Sequence, residues 1–460
     1  MRLYVLIAPA LVAGAGALWA AGSEAQVVRT ERSVGSQSTS KPRESVRQKG
    51  RKEAPRSGRA SSTRKTAAVA GAAAGAIATA RSNVISAKST EDGAAEARLI
   101  EIYRLVGQGR GESALRKAEE LVRDHPNFQL AQLVYGDLLS SRTRSLGRFG
   151  DVPDALAFRG ATTLVDLREE SQLRLRALRE RPPVGSVPAQ FLQLSARVKH
   201  AIAVDTSRSR LYLLENNSSG TRLIADYYIS VGKLGIEKQV EGDQRTPLGV
   251  YFITSNLDPA SLRDFYGSGA LPINYPNPLD ISRGKTGSGI WLHGSPPNQF
   301  ARAPRASDGC VVLANPDLER LLRTVEIRTT PVVIAQSLRW VLPNINQADR
   351  KPFEDQFEAW RRAKSSGDLT RTLAHYHANF SSNGRSLREW TPLLKQELSR
   401  AGGQSVNVKD LSIIRWTDHA DVMVVTFGEV LSGARTGAVK RQYWIREGSN
   451  WKVFFEGVIG

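Results

Sequence analysis

The sequence predicts a multidomain protein in which a helical N-terminal region precedes a mostly-β domain and a C-terminal α+β unit. Three observations carry this. A chain of 460 residues is long enough for about three domains at roughly 100–200 residues each. Apolar residues recur at helical spacing between Ala97 and Leu139, switch to short period-two runs after Val198, and return to helical spacing from Asp349. The formal charge of +19 is uneven: Glu24 to Thr90 holds 14 Lys plus Arg against 4 acidic residues, or +10. Globular domains carrying a basic arm fit this better than a uniformly basic nucleic-acid-binding fold, and the arm has no aromatic residues interleaved with its charges.

Residues 1–25 read as an export segment. Met1 and Arg2 precede an apolar run from Leu3 to Ala21, and Ser23 and Ala25 are small residues spaced for signal-peptidase cleavage. An uncleaved inner-membrane anchor is the competing reading, because the run approaches the roughly 20 residues that span a bilayer. Either way the expected location is the periplasm or cell envelope. Residues 26–95, rich in Ser, Arg, Lys, Gly and Ala, bury too little to offset chain entropy and read as a disordered basic linker. It either tethers the protein to an anionic envelope surface or acts as a solvated spacer.

Residues 96–195 read as helical. Leu99, Ile102, Tyr103 and Val106 mark one face, Ala114, Ala118 and Leu121 a second, and Leu130, Val134 and Leu138 a third. The Asp124-His125-Pro126-Asn127 turn between the last two resembles that of a single tetratricopeptide-type hairpin. No second copy follows, which argues against a solenoid. A further helix spans Ala161 to Arg179 and stops before Pro182 and Pro183. This block either docks a protein partner or simply packs.

Residues 196–340 hold the chemistry. Runs at Ala201–Asp205, Arg210–Leu214, Leu223–Val231 and Gly249–Thr254 are rich in Ile, Val, Leu and Tyr and are separated by turn residues. Within the domain lie Gly242–Ile253 (GDQRTPLGVYFI), Gly287–Ser295 (GSGIWLHGS) and Ser307–Leu313 (SDGCVVL). The chain has one cysteine and six His, which excludes an internal disulfide and a Cys-rich metal site; no metal or cofactor is expected. That cysteine, Cys310, follows Gly309 in a turn. It becomes a nucleophile if an imidazole such as His293 takes its proton, and a glycine turn can aim backbone N–H groups at the resulting oxyanion. A small buried hydrophobe is the alternative use of a lone cysteine.

Thr246-Pro247-x-Gly249, His293-Gly294 and Ser307-x-Gly309-Cys310, in that order, resemble the YkuD-type catalytic domain of L,D-transpeptidases. The resemblance covers about Val198 to Ala335. It implies that Cys310 accepts the acyl group and His293 is its base. It further implies that the Gly294 carbonyl orients the imidazole and that N–H groups near Gly309 and Cys310 stabilise the oxyanion. It also implies a peptidoglycan stem peptide as substrate. Two positions depart from the pattern: Asp308 stands where many members have His or a basic residue, and Val312 where many have Arg or Asn. Ser307, Asp308, Arg283, Arg302, Arg305 and Tyr275 are candidate substrate-binding residues, with Lys285 nearby. Tyr275 to Asp280 (YPNPLD) is expected to line the cleft, though a proline-stabilised turn would look the same.

Residues 341–460 read as helices over Asp349–Leu398 followed by strands at Leu411–Trp416, Asp421–Val430, Lys440–Arg446 and Trp451–Gly457. A helix pair from Trp360 to Phe380, the later Trp390 and the closing WKVFFEG strand resemble the nuclear-transport-factor-two-like cone. His375 and His377 are two apart, which on a helix points them to different faces and argues against a metal pair.

Together these readings predict an exported cysteine acyltransferase. Cys310 attacks a tetrapeptide stem, releases D-alanine, and passes the acyl group to an amine. An L,D-carboxypeptidase that passes it to water is the alternative, and a non-catalytic wall-binding scaffold is the alternative of another class.

Overall fold

The computed structural model describes residues 91–152 and 160–459; the export segment and nearly all of the basic linker lie outside them. Four helices form where the apolar spacing places them: α1 (Ala94–Gly107), α2 (Gly111–Asp124), α3 (Gln129–Ser140) and α4 (Ala161–Arg179). Leu99, Ile102, Ala114, Ala118, Leu121, Phe128 and Val134 close one core between them. Among the described residues no helix is long and apolar enough to cross a membrane.

The period-two runs fold as β1 (His200–Asp205), β2 (Arg210–Asn217), β3 (Gly220–Tyr228) and β4 (Gly249–Phe252). Later segments add β5 (Ala270–Pro272), β6 (Trp291–His293), β7 (Val311–Val312) and β8 (Pro331–Ala335). The larger sheet runs β3-β2-β1-β8-β4, with Glu91–Asp92 paired outside β3. Strand β8 lies parallel to β1 and antiparallel to β4, so the end of the domain closes its middle. A small sheet, β7-β6-β5, packs Leu292, Val311 and Leu271 against Ile202, Leu213 and Val332 of the larger one.

In the C-terminal unit, α5 (Pro278–Ser282) and α6 (Asn315–Thr324) having closed the preceding domain, α7 (Pro343–Ser365), α8 (Leu369–Leu373) and α9 (Leu387–Ala401) cover a curved sheet. Its strands are β9 (Tyr376–Ser382), β10 (Val406–Thr417), β11 (Asp421–Leu431), β12 (Ala438–Glu447) and β13 (Asn450–Val458). Their order is β9-β13-β12-β11-β10, and Phe191–Gln193 joins beyond β10. The helices pack Phe353, Phe357 and Trp360 against Met423, Phe427 and Trp444 on one face. On the opposite face Ile414, Val424 and Tyr443 meet Tyr212, Phe252 and Val333 of the larger sheet.

One element differs from the sequence reading. Tyr376 and Phe380 belong to a strand, not to a helix paired with Trp360. A spacing of four satisfies both the helical and the strand period, and the flanking residues did not separate the two. His377, on this strand, has Nε2 3.0 Å from Glu447 at the end of β12.

The helical block is fixed to the larger sheet by buried charge. Arg210 of β2 donates to both oxygens of Glu96 in α1 at 2.8 Å and also meets Asp226 of β3. Arg174 of α4 reaches Glu96 at 2.9 Å and Glu170 at 2.7 Å, and lies over the Tyr228 ring at 4.0 Å. Glu96, sharing two guanidinium groups, is the hub. Removing one member of a buried charge set strands the others in a low-dielectric interior and costs about 3 kcal/mol. Glu96→Gln is expected to lower the urea midpoint by that free energy divided by the slope, at unchanged slope; an unchanged midpoint would reject the hub assignment.

Candidate active site

The turn before β7 is shaped by two residues. Ser307 Oγ accepts the Gly309 N–H at 3.2 Å and donates to the Cys310 carbonyl at 2.6 Å. Gly309 has φ +120°, and a Cβ there would come within 2.7 Å of the Arg245 carbonyl. Only glycine fits both the conformation and the space.

Strands β6 and β7 pair in parallel register, Leu292 with Val311 and His293 with Val312. Leu292 and Val311 face the core. Since side chains alternate along a strand, His293 and Val312 face the other way, and Cys310, two residues before Val312, shares their face. One step back in this register Cys310 comes opposite Trp291, whose backbone N–H acts to lower the thiol's pKa. Diagonal neighbours across a pair of strands are about 7–8 Å apart at their backbones, within reach of an imidazole.

His293 is buried, with Nδ1 2.7 Å from the Gly294 carbonyl. Nδ1 therefore carries the hydrogen, and Nε2 is the nitrogen left to accept one. Tyr266 packs against the ring edge-on at 5.1 Å and Phe265 at 5.8 Å. The Gly294 N–H donates to the Tyr266 carbonyl at 3.0 Å, so the same loop locks both the ring and its carbonyl anchor. Burial pulls the His293 pKa down to about 4; the Gly294 bond opposes this and Arg302 adds to it.

The Cys310 thiol donates to the Gly289 carbonyl at 3.5 Å. Burial pushes its pKa up to about 11; the Trp291 N–H, Arg302 and Lys238 act in the opposite sense, while Asp308 adds to the rise. The resting pair is thus a neutral thiol and a neutral imidazole. The Gly309 N–H is taken by Ser307, whereas the Cys310 N–H has no acceptor among the described residues.

Arg302 stands beside this pair. It is 9% exposed, its guanidinium lies over the Phe265 ring at 4.2 Å, and its Nε has no partner. It borders a cavity of about 720 Å³ between the helical block and the β domain, with Phe128, Lys233, Phe265 and Pro296. The helical hairpin turn forms one wall: Phe128 stacks on Phe300 at 4.3 Å and the Phe300 N–H donates to the Asn127 carbonyl at 3.0 Å.

The other candidate residues are placed elsewhere or engaged. Arg283 makes two bonds to Asp418 of the C-terminal unit, at 2.6 and 2.8 Å. Arg305 pairs with Glu169 of α4 at 3.0 Å and Lys285 with Asp280 at 3.1 Å. Asp308 is exposed and meets Lys233 at 2.9 Å. Tyr275 does not line the cleft: it is 5% exposed, donates to the Thr286 carbonyl and packs in the main core. The segment after it is a helix start, in which Asn277 caps α5 and donates to the Val250 carbonyl. Among the described residues no group of His, Cys, Asp and Glu could hold a metal ion. Sequence reasoning missed Phe265, Tyr266, Gly289 and Lys238. The aromatic pair inside the DFYGSG loop was a usable signal; a backbone carbonyl such as that of Gly289 leaves none.

A thiol with its pKa near 11 is almost wholly protonated at neutral pH, and the thiolate is the alkylated form. Iodoacetamide labelling of Cys310 is therefore expected to accelerate about tenfold per pH unit from 7 to 10, whereas a plateau below pH 8 would show a thiolate–imidazolium resting pair.

Residues 199–334 match the model of the L,D-transpeptidase catalytic domain, and residues 353–457 match that of the Cds6 C-terminal NTF2-like domain. No curated protein matches the chain. Among solved structures it is similar to Bd1075 of Bdellovibrio bacteriovorus, at 26% identity and TM-score 0.51 over 59% of this chain and 98% of that one. It is also similar to Pgp2 of Campylobacter jejuni, described as a helical cell shape determining protein, at 21% identity and TM-score 0.46 over 60% and 95%. An L,D-transpeptidase from Mycobacterium smegmatis matches at 12% identity and TM-score 0.20 over 30% and 59%. The chain carries a YkuD-type L,D-transpeptidase catalytic domain joined to a C-terminal NTF2-like domain.

Proposed function

We propose that the protein is a peptidoglycan L,D-transpeptidase acting through a thioester on Cys310. The observation that carries this reading is the pairing of His293 with Val312, two residues past Cys310, with Nδ1 held by Gly294 and no bond to Nε2 among the described residues. Sγ attacks the carbonyl at the L-centre of the diamino acid in a tetrapeptide stem as Nε2 takes the thiol proton. The oxyanion meets the Cys310 N–H. Collapse breaks the bond to D-alanine, whose nitrogen receives that proton, and leaves the thioester. An amine from a second stem or a protein lysine then attacks, loses its proton to His293, and expels the thiol. Because both resting groups are neutral, proton transfer accompanies attack instead of preceding it.

Arg302 is the substrate anchor in this proposal. A buried guanidinium near the thiol, bonded through its terminal nitrogens only to the Ala306 and Phe265 carbonyls at 3.4 and 3.5 Å and with Nε unbonded, suits a stem carboxylate. Export to the periplasm, with the basic linker against an anionic envelope surface, would bring the enzyme to this substrate.

L,D-carboxypeptidase action, in which water resolves the thioester, is the second reading. Asp308 supports it, since an exposed carboxylate near the thiol repels the carboxylates of an incoming stem.

Mass spectrometry of disaccharide tetrapeptide incubated with enzyme separates the readings. Cross-linked dimers are the expected product; tripeptide monomer alone would replace transpeptidation by trimming, and unchanged substrate would favour a wall-binding scaffold. Arg302→Gln is expected to raise KM for the stem at least tenfold, the loss of about one charge-assisted contact, with a smaller change in kcat. An unaltered KM would remove Arg302 from the site.

A further inference from the structure

Among the described residues, seven cationic side chains are buried: Arg174, Arg210, Lys238, Arg302, Lys364, Lys440 and Arg441. Arg174, Arg210, Lys238, Lys364 and Lys440 all have a carboxylate within 3.1 Å. Arg302 borders the cavity between the helical block and the β domain. Arg441, 8% exposed, has no carboxylate in reach among the described residues; its one side-chain bond is from Nε to Thr426 Oγ1 at 3.0 Å. Its guanidinium lies over the Phe252 ring, and burial lowers its pKa to about 10. A cation held dry without a counter-ion is costly, and is retained where something supplies the charge.

Arg441 lines a cavity of about 440 Å³. The walls come from two domains: Phe252 and Pro331 from the larger β sheet, and Ile414, Val439 and Ile459 from the C-terminal unit. In β11 and β12 alternate residues face opposite ways. Met423, Phe427 and Trp444 pack under the helices, whereas Val424 and Tyr443 face the catalytic domain. Arg441, two before Tyr443, belongs to this second face. The cavity is therefore outside the cone, at the joint between the domains, and separate from Cys310. Four exposed cations, Arg197, Arg328, Lys409 and Arg435, surround it against one acid, Asp410, already paired with Arg197 at 2.7 Å.

We propose that this joint binds an amphiphilic carboxylate: a monoanion whose planar head meets the free Arg441 nitrogens in fork geometry and whose aliphatic body occupies the apolar walls. A volume of this size is within the range of small-ligand sites. The outer cations raise the local concentration of anions. Such a ligand would touch both domains, so its binding favours the arrangement in which they are joined.

Isothermal titration of the full chain with octanoate, octanol and octyltrimethylammonium tests this without any substitution. Octanoate is expected to bind at one site, at least tenfold more tightly than either of the others. Arg441→Met is expected to weaken octanoate at least tenfold. Thr436→Trp, an exposed lining position that fills the cavity, should do the same without touching the buried cation. Octanoate binding no tighter than octanol, or equal binding by wild type and Thr436→Trp, would overturn the proposal.

Discussion

The site depends on the parallel register of two very short strands. Trp291–His293 and Val311–Val312 together comprise five residues, yet their pairing sets the buried imidazole beside Val312, two residues past the only cysteine. A one-residue slip would turn one of them into the core. The register is pinned at both sides. Leu292 and Val311 are fully buried in the main core, and Gly309 presses its backbone against the Arg245 carbonyl where no side chain fits.

The segment from Ser295 to Ala306 that joins His293 to Cys310 is held at its ends by the β domain, where Arg305–Ser307 pairs with Val231–Gly232 and Asn315 donates to the Ser295 carbonyl. Its middle is held by the helical hairpin through Phe128, stacked on Phe300, and Asn127, bonded to the backbone at Pro297 and Phe300. The hairpin itself is fixed by Glu96, Arg174 and Arg210. A region whose sequence suggested only docking or packing is thus one wall of the cavity that Arg302 borders. On the other side Arg283 and Asp418 join the catalytic domain to the NTF2-like unit, a tie that the loop charges around the motif did not reveal.

What could be read from sequence is what depends on local backbone. Gly309 before Cys310 and His293 before Gly294 are adjacent pairs: the positive φ of Gly309 and the bond from His293 Nδ1 to the Gly294 carbonyl are both made between near neighbours in the chain. The alternating runs of β1 to β3 likewise report a local period. What could not be read depends on distant partners. Arg283 resembled a free carboxylate binder because its partner lies 135 residues away, and Tyr275 resembled a cleft residue because nothing nearby shows that its ring enters the core. Phe191–Gln193 extends the sheet of a domain that begins some 150 residues later, a pairing with no trace in its own three side chains.

The account rests on a neutral thiol that is activated only as it attacks, with His293 as the acceptor of its proton. The most direct measurement is D-alanine released from purified disaccharide tetrapeptide by the wild-type protein, Cys310→Ala and His293→Ala at equal folded concentration. The account predicts release by the wild type and none above background by either variant. Release undiminished in Cys310→Ala, or absent from the wild type, would contradict it.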